Sequence, residues 1–105
     1  MPGVFTPSEA LLALRCGASA LKFFPASVLG AGGIAALRAV LPAGTIIGAV
    51  GGVSERNFAD YAKVGVTMFG LGTSLFTPGS DAATVGRKAR EATAAWDAIF
   101  GGNTA

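Results

Sequence analysis

A chain of 105 residues, half of them apolar, has room for one small domain and not two. Eight basic and six acidic residues leave a net charge of +2, and no basic cluster with interleaved aromatics argues for nucleic acid as a partner. The absence of histidine excludes His-dependent triads and makes structural zinc untenable, while the single cysteine, Cys16, excludes an internal disulfide and fits a reducing cytosol.

The start Met-Pro-Gly-Val lacks the charged and apolar regions of a signal peptide, and no apolar run is long enough to span a bilayer. A cytoplasmic chain with no membrane partner is the expectation. Thr6-Pro7-Ser8-Glu9 reads as a helix start, with Thr6 as N-cap, Pro7 at the first helical position and Glu9 closing a capping box. Glu9 can be imagined as a catalytic carboxylate, but capping accounts for it. This helix is expected to run to about Cys16 and stop at Gly17, with Cys16 as a small buried packing residue.

The first full strand is expected over about Ala20 to Pro25. A glycine-rich loop, Gly30 to Gly33, then leads into a helix with Ile34, Leu37, Val40 and Leu41 on one face, ended by Pro42. Thr45 to Val50 is a continuous apolar strand that runs into Gly51-Gly52, and Ser54 is expected to cap a helix ending near Lys63 to Gly65. A third strand, about Thr67 to Leu71, is followed by Gly72-Thr73-Ser74. The last helix spans roughly Ala82 to Phe100, with Gly101-Gly102 as its stop and a frayed tail beyond. The order is thus α, then β-α three times. Unbroken apolar strands are buried on both faces, as in the parallel sheet of an α/β fold with right-handed crossovers.

Lys22 is the chemically informative residue. It is a lone cation in Ala20-Leu21-Lys22-Phe23-Phe24-Pro25, a run with the boundaries of a buried strand. An unpaired buried lysine costs several kcal/mol, so such a group pairs or sheds its proton. A neutral amine in an apolar pocket is what Schiff-base chemistry with a carbonyl substrate requires. The alternative is a lysine at a strand end whose head snorkels to water.

Two glycine clusters follow successive strands: Val50-Gly51-Gly52-Val53-Ser54 and Gly70-Leu71-Gly72-Thr73-Ser74. Glycine lets the backbone approach a ligand closely, and helix N-termini behind such loops would favour an anion. Two of these loops on adjacent strands of a (β/α) barrel make a phosphate site; singly, each is as well read as a tight turn. Lys22 and both loops fall at or near the carboxyl ends of consecutive parallel strands, where α/β proteins place ligands.

Pro2-Gly3-Val4, Thr6-Pro7-Ser8-Glu9-Ala10, Gly17-Ala18 and Leu21-Lys22-Phe23-Phe24-Pro25-Ala26 together resemble the 2-keto-3-deoxy-6-phosphogluconate/phosphogalactonate aldolases. The resemblance continues through Leu37-Arg38-Ala39-Val40-Leu41-Pro42, Val50-Gly51-Gly52-Val53, Asn57-Phe58 and Gly70-Leu71-Gly72-Thr73-Ser74-Leu75. It implies a (β/α)8 TIM barrel, usually a homotrimer, and a cofactor-free, metal-free class I aldolase. Such an enzyme cleaves a 6-phosphorylated 2-keto-3-deoxy sugar acid to pyruvate and glyceraldehyde 3-phosphate. By the same resemblance Lys22 is the Schiff-base nucleophile and Phe24 and Pro25 shape its pocket. Gly51, Gly52, Gly72, Thr73 and Ser74 hold the phosphate. Val50 stands where the gluconate-type enzymes resemble threonine; a valine cannot hydrogen-bond a C4 hydroxyl, which points to the galactonate-type branch, although ordinary exchange on a strand also explains it.

The family's barrel has about twice this length. Residues 1–105 are therefore expected to be a single partial barrel domain, about strands 6–8 with their helices, with Pro2-Gly3 at the end of the fifth. The general acid/base glutamate would lie in the other half. Glu55 and Asp60 on one predicted helix and Glu91 and Asp97 on the last read as solvated surface. An open sheet edge invites association with a homo-oligomeric partner or with that missing half. Two other readings remain: a non-catalytic phosphate-binding or assembly module, and an isomerase-type phosphate barrel in which Lys22 acts as an acid/base.

Overall fold

The computed structural model describes residues 1–101. A two-residue strand β1 (Gly3–Val4) comes first, followed by helix α1 (Pro7–Arg15), β2 (Leu21–Phe23), α2 (Ala26–Arg38), β3 (Ile47–Val50), α3 (Phe58–Ala62), β4 (Met68–Gly70) and α4 (Ala82–Trp96), with a π-helical turn over Asp97–Gly101. The four strands form one parallel sheet in the order β1-β2-β3-β4. The sheet thus has one strand more than the alternation of helix and strand signals suggests. Gly3-Val4 is too short to carry any periodicity, and only its pairing with Lys22 and Phe23 makes it a strand.

Side chains alternate across a strand, so the register sorts them into two layers. Val4, Leu21, Phe23, Ile47 and Ala49 point to the helix side, where they are buried with Ala10, Ala26, Ile34, Leu37, Phe58 and Ala92. Phe69 joins that layer by stacking on Phe58, with ring centroids 4.3 Å apart. Gly3, Lys22, Gly48 and Met68 form the row across the other face. There Phe24 remains 48% exposed and Met68 41%. Among the described residues every helix that supplies the core sits on one side of the sheet, and the Lys22 side carries no helix, only Met1 reaching over Gly48.

The α1 start is as expected. Thr6 Oγ1 accepts from the Glu9 amide at 3.2 Å, and Glu9 Oε1 accepts from the Phe5 and Thr6 amides at 3.0 Å. Those bonds from Phe5 and Thr6 hold the Glu9 carboxyl below the usual carboxylate range. The capping expected of Glu9 is what its carboxylate does here. Cys16 departs from expectation: it is exposed, because the buried stripe of α1 runs through Ala10, Ala13 and Leu14 and Cys16 is the C-cap beyond it.

The Gly30–Gly33 segment is helical rather than a loop. The turn begins at Pro25, whose carbonyl accepts from the Val28 and Leu29 amides, and only Gly30 leaves helical geometry (φ 68°, ψ 168°), kinking α2. Val40 lies past the helix end at Arg38 and is 53% exposed, so the buried face rests on Ala26, Ile34 and Leu37. Ser54 does not cap α3. Its amide donates to Asn57 Oδ1 and its hydroxyl accepts from the Arg56 amide, closing a separate turn that also holds Glu55, and α3 starts only at Phe58. Asp81 caps α4 through the Thr84 amide at 2.8 Å. The regular α-helix ends at Trp96, four residues before the expected Phe100, and Gly102 and the tail lie outside the described residues.

Candidate active site

The segment after β2 builds the site's base. Phe24, Pro25, Ala26 and Ser27 turn under the loop that leaves β3, and the Ser27 amide donates to the Gly51 carbonyl at 3.1 Å. The fit requires glycine above. A Cβ at Gly51 would stand 3.2 Å from Pro25 Cα, and one at Gly52 would stand 2.7 Å from Ser27 Cβ. Both residues also have positive φ, 99° and 71°. The first glycine loop is therefore pressed onto the end of the lysine strand.

Asn57 fixes the rest of this loop. Its Nδ2 donates to the Gly52 carbonyl and its Oδ1 accepts from the Ser54 amide, each at 3.0 Å. The second loop is tied to the first by Ser74, whose hydroxyl donates to the Val53 carbonyl at 2.9 Å. The Leu75 and Phe76 amides return to the Gly72 carbonyl and close a turn at 72–76.

Together these contacts form a cleft of about 490 Å³ lined by Phe24, Val50, Gly51, Gly52, Val53, Ser54, Gly72, Thr73 and Ser74. Seven of the expected site residues share this cleft. Pro25 is not in the lining; it lies beneath Gly51. Lys22 is not in the lining either. It stands on the bare sheet face, half-buried, with Nζ 5.6 Å from the centroid of the Phe24 ring, so Phe24 separates the amine from the cleft and faces both. Lys22 is half-buried because no described helix covers its row, which is the solvated alternative for a lysine on this strand.

Among the described residues no Lys, Arg, Asp or Glu lines the cleft, and the amides of Gly52, Thr73 and Ser74 donate to no protein acceptor. An anion placed there would meet backbone N–H groups and hydroxyls rather than charged side chains. The expected help from helix N-termini is missing: α3 begins at Phe58 and α4 at Ala82, each several residues past its loop. Asp60 lies 4.0 Å from Lys63, Glu91 pairs with Arg87 at 2.8 Å, and Glu9 and Asp81 are caps, so these acids are committed elsewhere.

Asn57 and Ser27 are the residues that reading for chemistry passes over. Asn57 carries a signal in its place five residues after Gly52, a spacing that lets a side chain reach back to a loop carbonyl.

A family model described as KDPG and KHG aldolase matches residues 1–87. The chain belongs to this aldolase family. A protein named probable 2-dehydro-3-deoxy-6-phosphogalactonate aldolase, from Rhizobium meliloti (strain 1021), is 63% identical over 102 residues, covering 97% of this chain and 48% of its own length. The 2-dehydro-3-deoxy-6-phosphogalactonate aldolase of Escherichia coli (strain K12) is 44% identical over 93 residues, covering 89% and 44%. A solved structure described as native KDPGal superposes with a TM-score of 0.89 at 39% identity, over 92% of this chain and 47% of that one. The chain thus spans about half the length of the curated aldolases it matches, and its parallel α/β sheet corresponds to about half of that KDPGal structure.

Proposed function

We propose that this chain carries the Schiff-base lysine and the phosphate site of a class I aldolase acting on 2-dehydro-3-deoxy-6-phosphogalactonate, with the gluconate epimer as the alternative substrate. The observation that carries this reading is the meeting of both glycine loops and Phe24 in one cleft, beside a lysine at the same end of the sheet. The phosphate rests on the Gly51, Gly52, Gly72, Thr73 and Ser74 backbone, and the sugar acid extends past Phe24 and Pro25 toward Lys22.

Lys22 Nζ adds to the C2 carbonyl carbon, and loss of water leaves a protonated imine. A base then takes the C4 hydroxyl proton and the C3–C4 bond breaks. Its electron pair flows into the iminium, giving an enamine on Lys22 and free glyceraldehyde 3-phosphate. Protonation at C3 and addition of water release pyruvate and the amine. The iminium is the electron sink, so the sequence reading calls for no metal or cofactor. The base comes from the remainder of the barrel, in which β1 to β4 are the end of the fifth strand and the sixth to eighth strands. Val50 supports the galactonate configuration, since its apolar side chain lines the cleft and offers the C4 hydroxyl no partner. The assembly is a cytoplasmic homo-oligomer, a trimer by resemblance, or a pairing with the other half of the barrel.

A phosphate-binding module without turnover is the second reading, favoured by the half-exposed Lys22 and by the lack of an acid in the cleft. Intact mass after pyruvate and borohydride decides between them. A lysine adduct that disappears in Lys22→Ala supports the aldolase. Retained binding of a phosphorylated ligand, with no adduct from the folded chain, supports the module.

A further inference from the structure

Lys22 is flanked by glycine on both sides in its row, Gly3 on β1 and Gly48 on β3. The two glycines are not equivalent. The atoms nearest to a Cβ at Gly48 would belong to Met1 and Met68. The atoms nearest to a Cβ at Gly3 belong to Lys22 itself, Cε at 3.2 Å and Nζ at 3.9 Å. The lysine stem therefore lies across the bare α-carbon of Gly3, closer than an ordinary carbon–carbon contact would permit if a methyl were there. Gly3 has no positive φ, so backbone conformation does not demand glycine at this position. What a side chain there would meet is the lysine stem, which would have to give by a few tenths of an ångström.

We infer that Gly3 is a positioning residue for Lys22. It provides the bed along which the stem runs, and so sets the amine beside the Phe24 ring rather than out over the open sheet face. This rests on the proposed role of Lys22 as nucleophile, because imine formation depends on where the amine is held. A displacement of about 1 Å at a reacting group costs up to about a hundredfold in rate, and a Cβ at Gly3 forces a smaller one.

The first test needs no activity. The full chain with isotope-labelled lysine should show a nuclear Overhauser contact between the Gly3 α-protons and the Lys22 ε-protons. If that contact is absent in the folded chain, the inference is overturned. The second test is Gly3→Ala, an exchange the backbone admits. Reductive methylation with limiting formaldehyde should shift the ratio of labelling at Lys22 to that at Lys63 by about threefold or more, at unchanged melting temperature. Lys63, on the far side of the sheet in the turn after α3, is the internal reference. An unchanged ratio overturns the inference.

Where the wild-type chain forms the pyruvate adduct, trapping in Gly3→Ala should slow by about tenfold at saturating pyruvate. Equal trapping rates again overturn it. A wild-type chain with the Overhauser contact and the altered methylation ratio but no adduct would instead count against the aldolase reading and leave the Gly3 bed standing.

Discussion

The two glycine loops look alike in sequence and are held by different physics. Gly51-Gly52 is glycine by necessity: both residues adopt positive φ, and Pro25 and Ser27 occupy the space a side chain would need. Gly72 has neither constraint, with no positive φ and nothing within 4 Å of its Cβ position. Its loop is placed by the Ser74 hydroxyl on Val53 and by the turn closed on its own carbonyl. One loop is shaped by what lies beneath it, and the other hangs from the first. A glycine motif therefore names a place where backbone is close to something without saying what.

Substitutions sharpen the contrast. Gly52→Ala should have the largest effect, combining backbone strain with the Ser27 clash. A loss of about 2–4 kcal/mol is expected in chemical denaturation, together with weakened phosphate binding. A melting curve matching wild type would break the contrast at its strong end. Ser74→Ala should cost about 1 kcal/mol through the lost bond to the partly buried Val53 carbonyl. It should also leave the Gly51-Gly52 loop in place, read as unchanged amide shifts at 51 and 52. Gly72→Ala should stay within about 0.5 kcal/mol of wild type in stability, and a large loss would show a constraint on the second loop that its geometry does not display.

The smallest effect is a pH dependence that belongs to neither loop. Glu9 is held below its ordinary range by the Phe5 and Thr6 donors, and Asp81 by the Thr84 side chain and amide. A carboxyl depressed in the folded state contributes stability that is complete above its unfolded pKa and is lost as pH falls through the folded one. Acid titration should therefore weaken the fold below the usual carboxylate range, Glu9→Gln should flatten part of that slope, and the slope should be the same in loop variants as in wild type. A loop variant with a different slope would couple the caps to the cleft.

What was legible in the sequence follows from how local each signal is. The α1 cap, the three longer strands and both glycine loops were readable because each is written within a few consecutive residues. β1 has no such local signal, since two residues have no period and become a strand only beside β2; only the family resemblance, with Pro2-Gly3 at the end of the fifth strand, pointed to it. The helical start of α2 was hidden because Gly30 to Gly33 carries the composition of a loop, although only Gly30 behaves as one. Ser54 reads as a cap in sequence because a capping residue and a turn residue use the same hydroxyl, and the Asn57 side chain decides between them. At the site, most residues that line the cleft were evident, while what lies beneath the glycines and the lysine needed the register: Ser27 under Gly52, and Gly3 under Lys22.

The strand order has a consequence for how the sheet assembles. Each strand pairs with its successor in the chain: Gly3 with Lys22, Leu21 with Ile47, and Gly48 with Met68. The three closures span 19, 26 and 20 residues, and closure entropy grows only with the logarithm of that span, about 0.6 kcal/mol per doubling. Among the described strands each closes on its immediate neighbour in the chain, so the four-stranded sheet contains no long-range crossover, and the lysine strand finds a neighbour on each side from within residues 3–50.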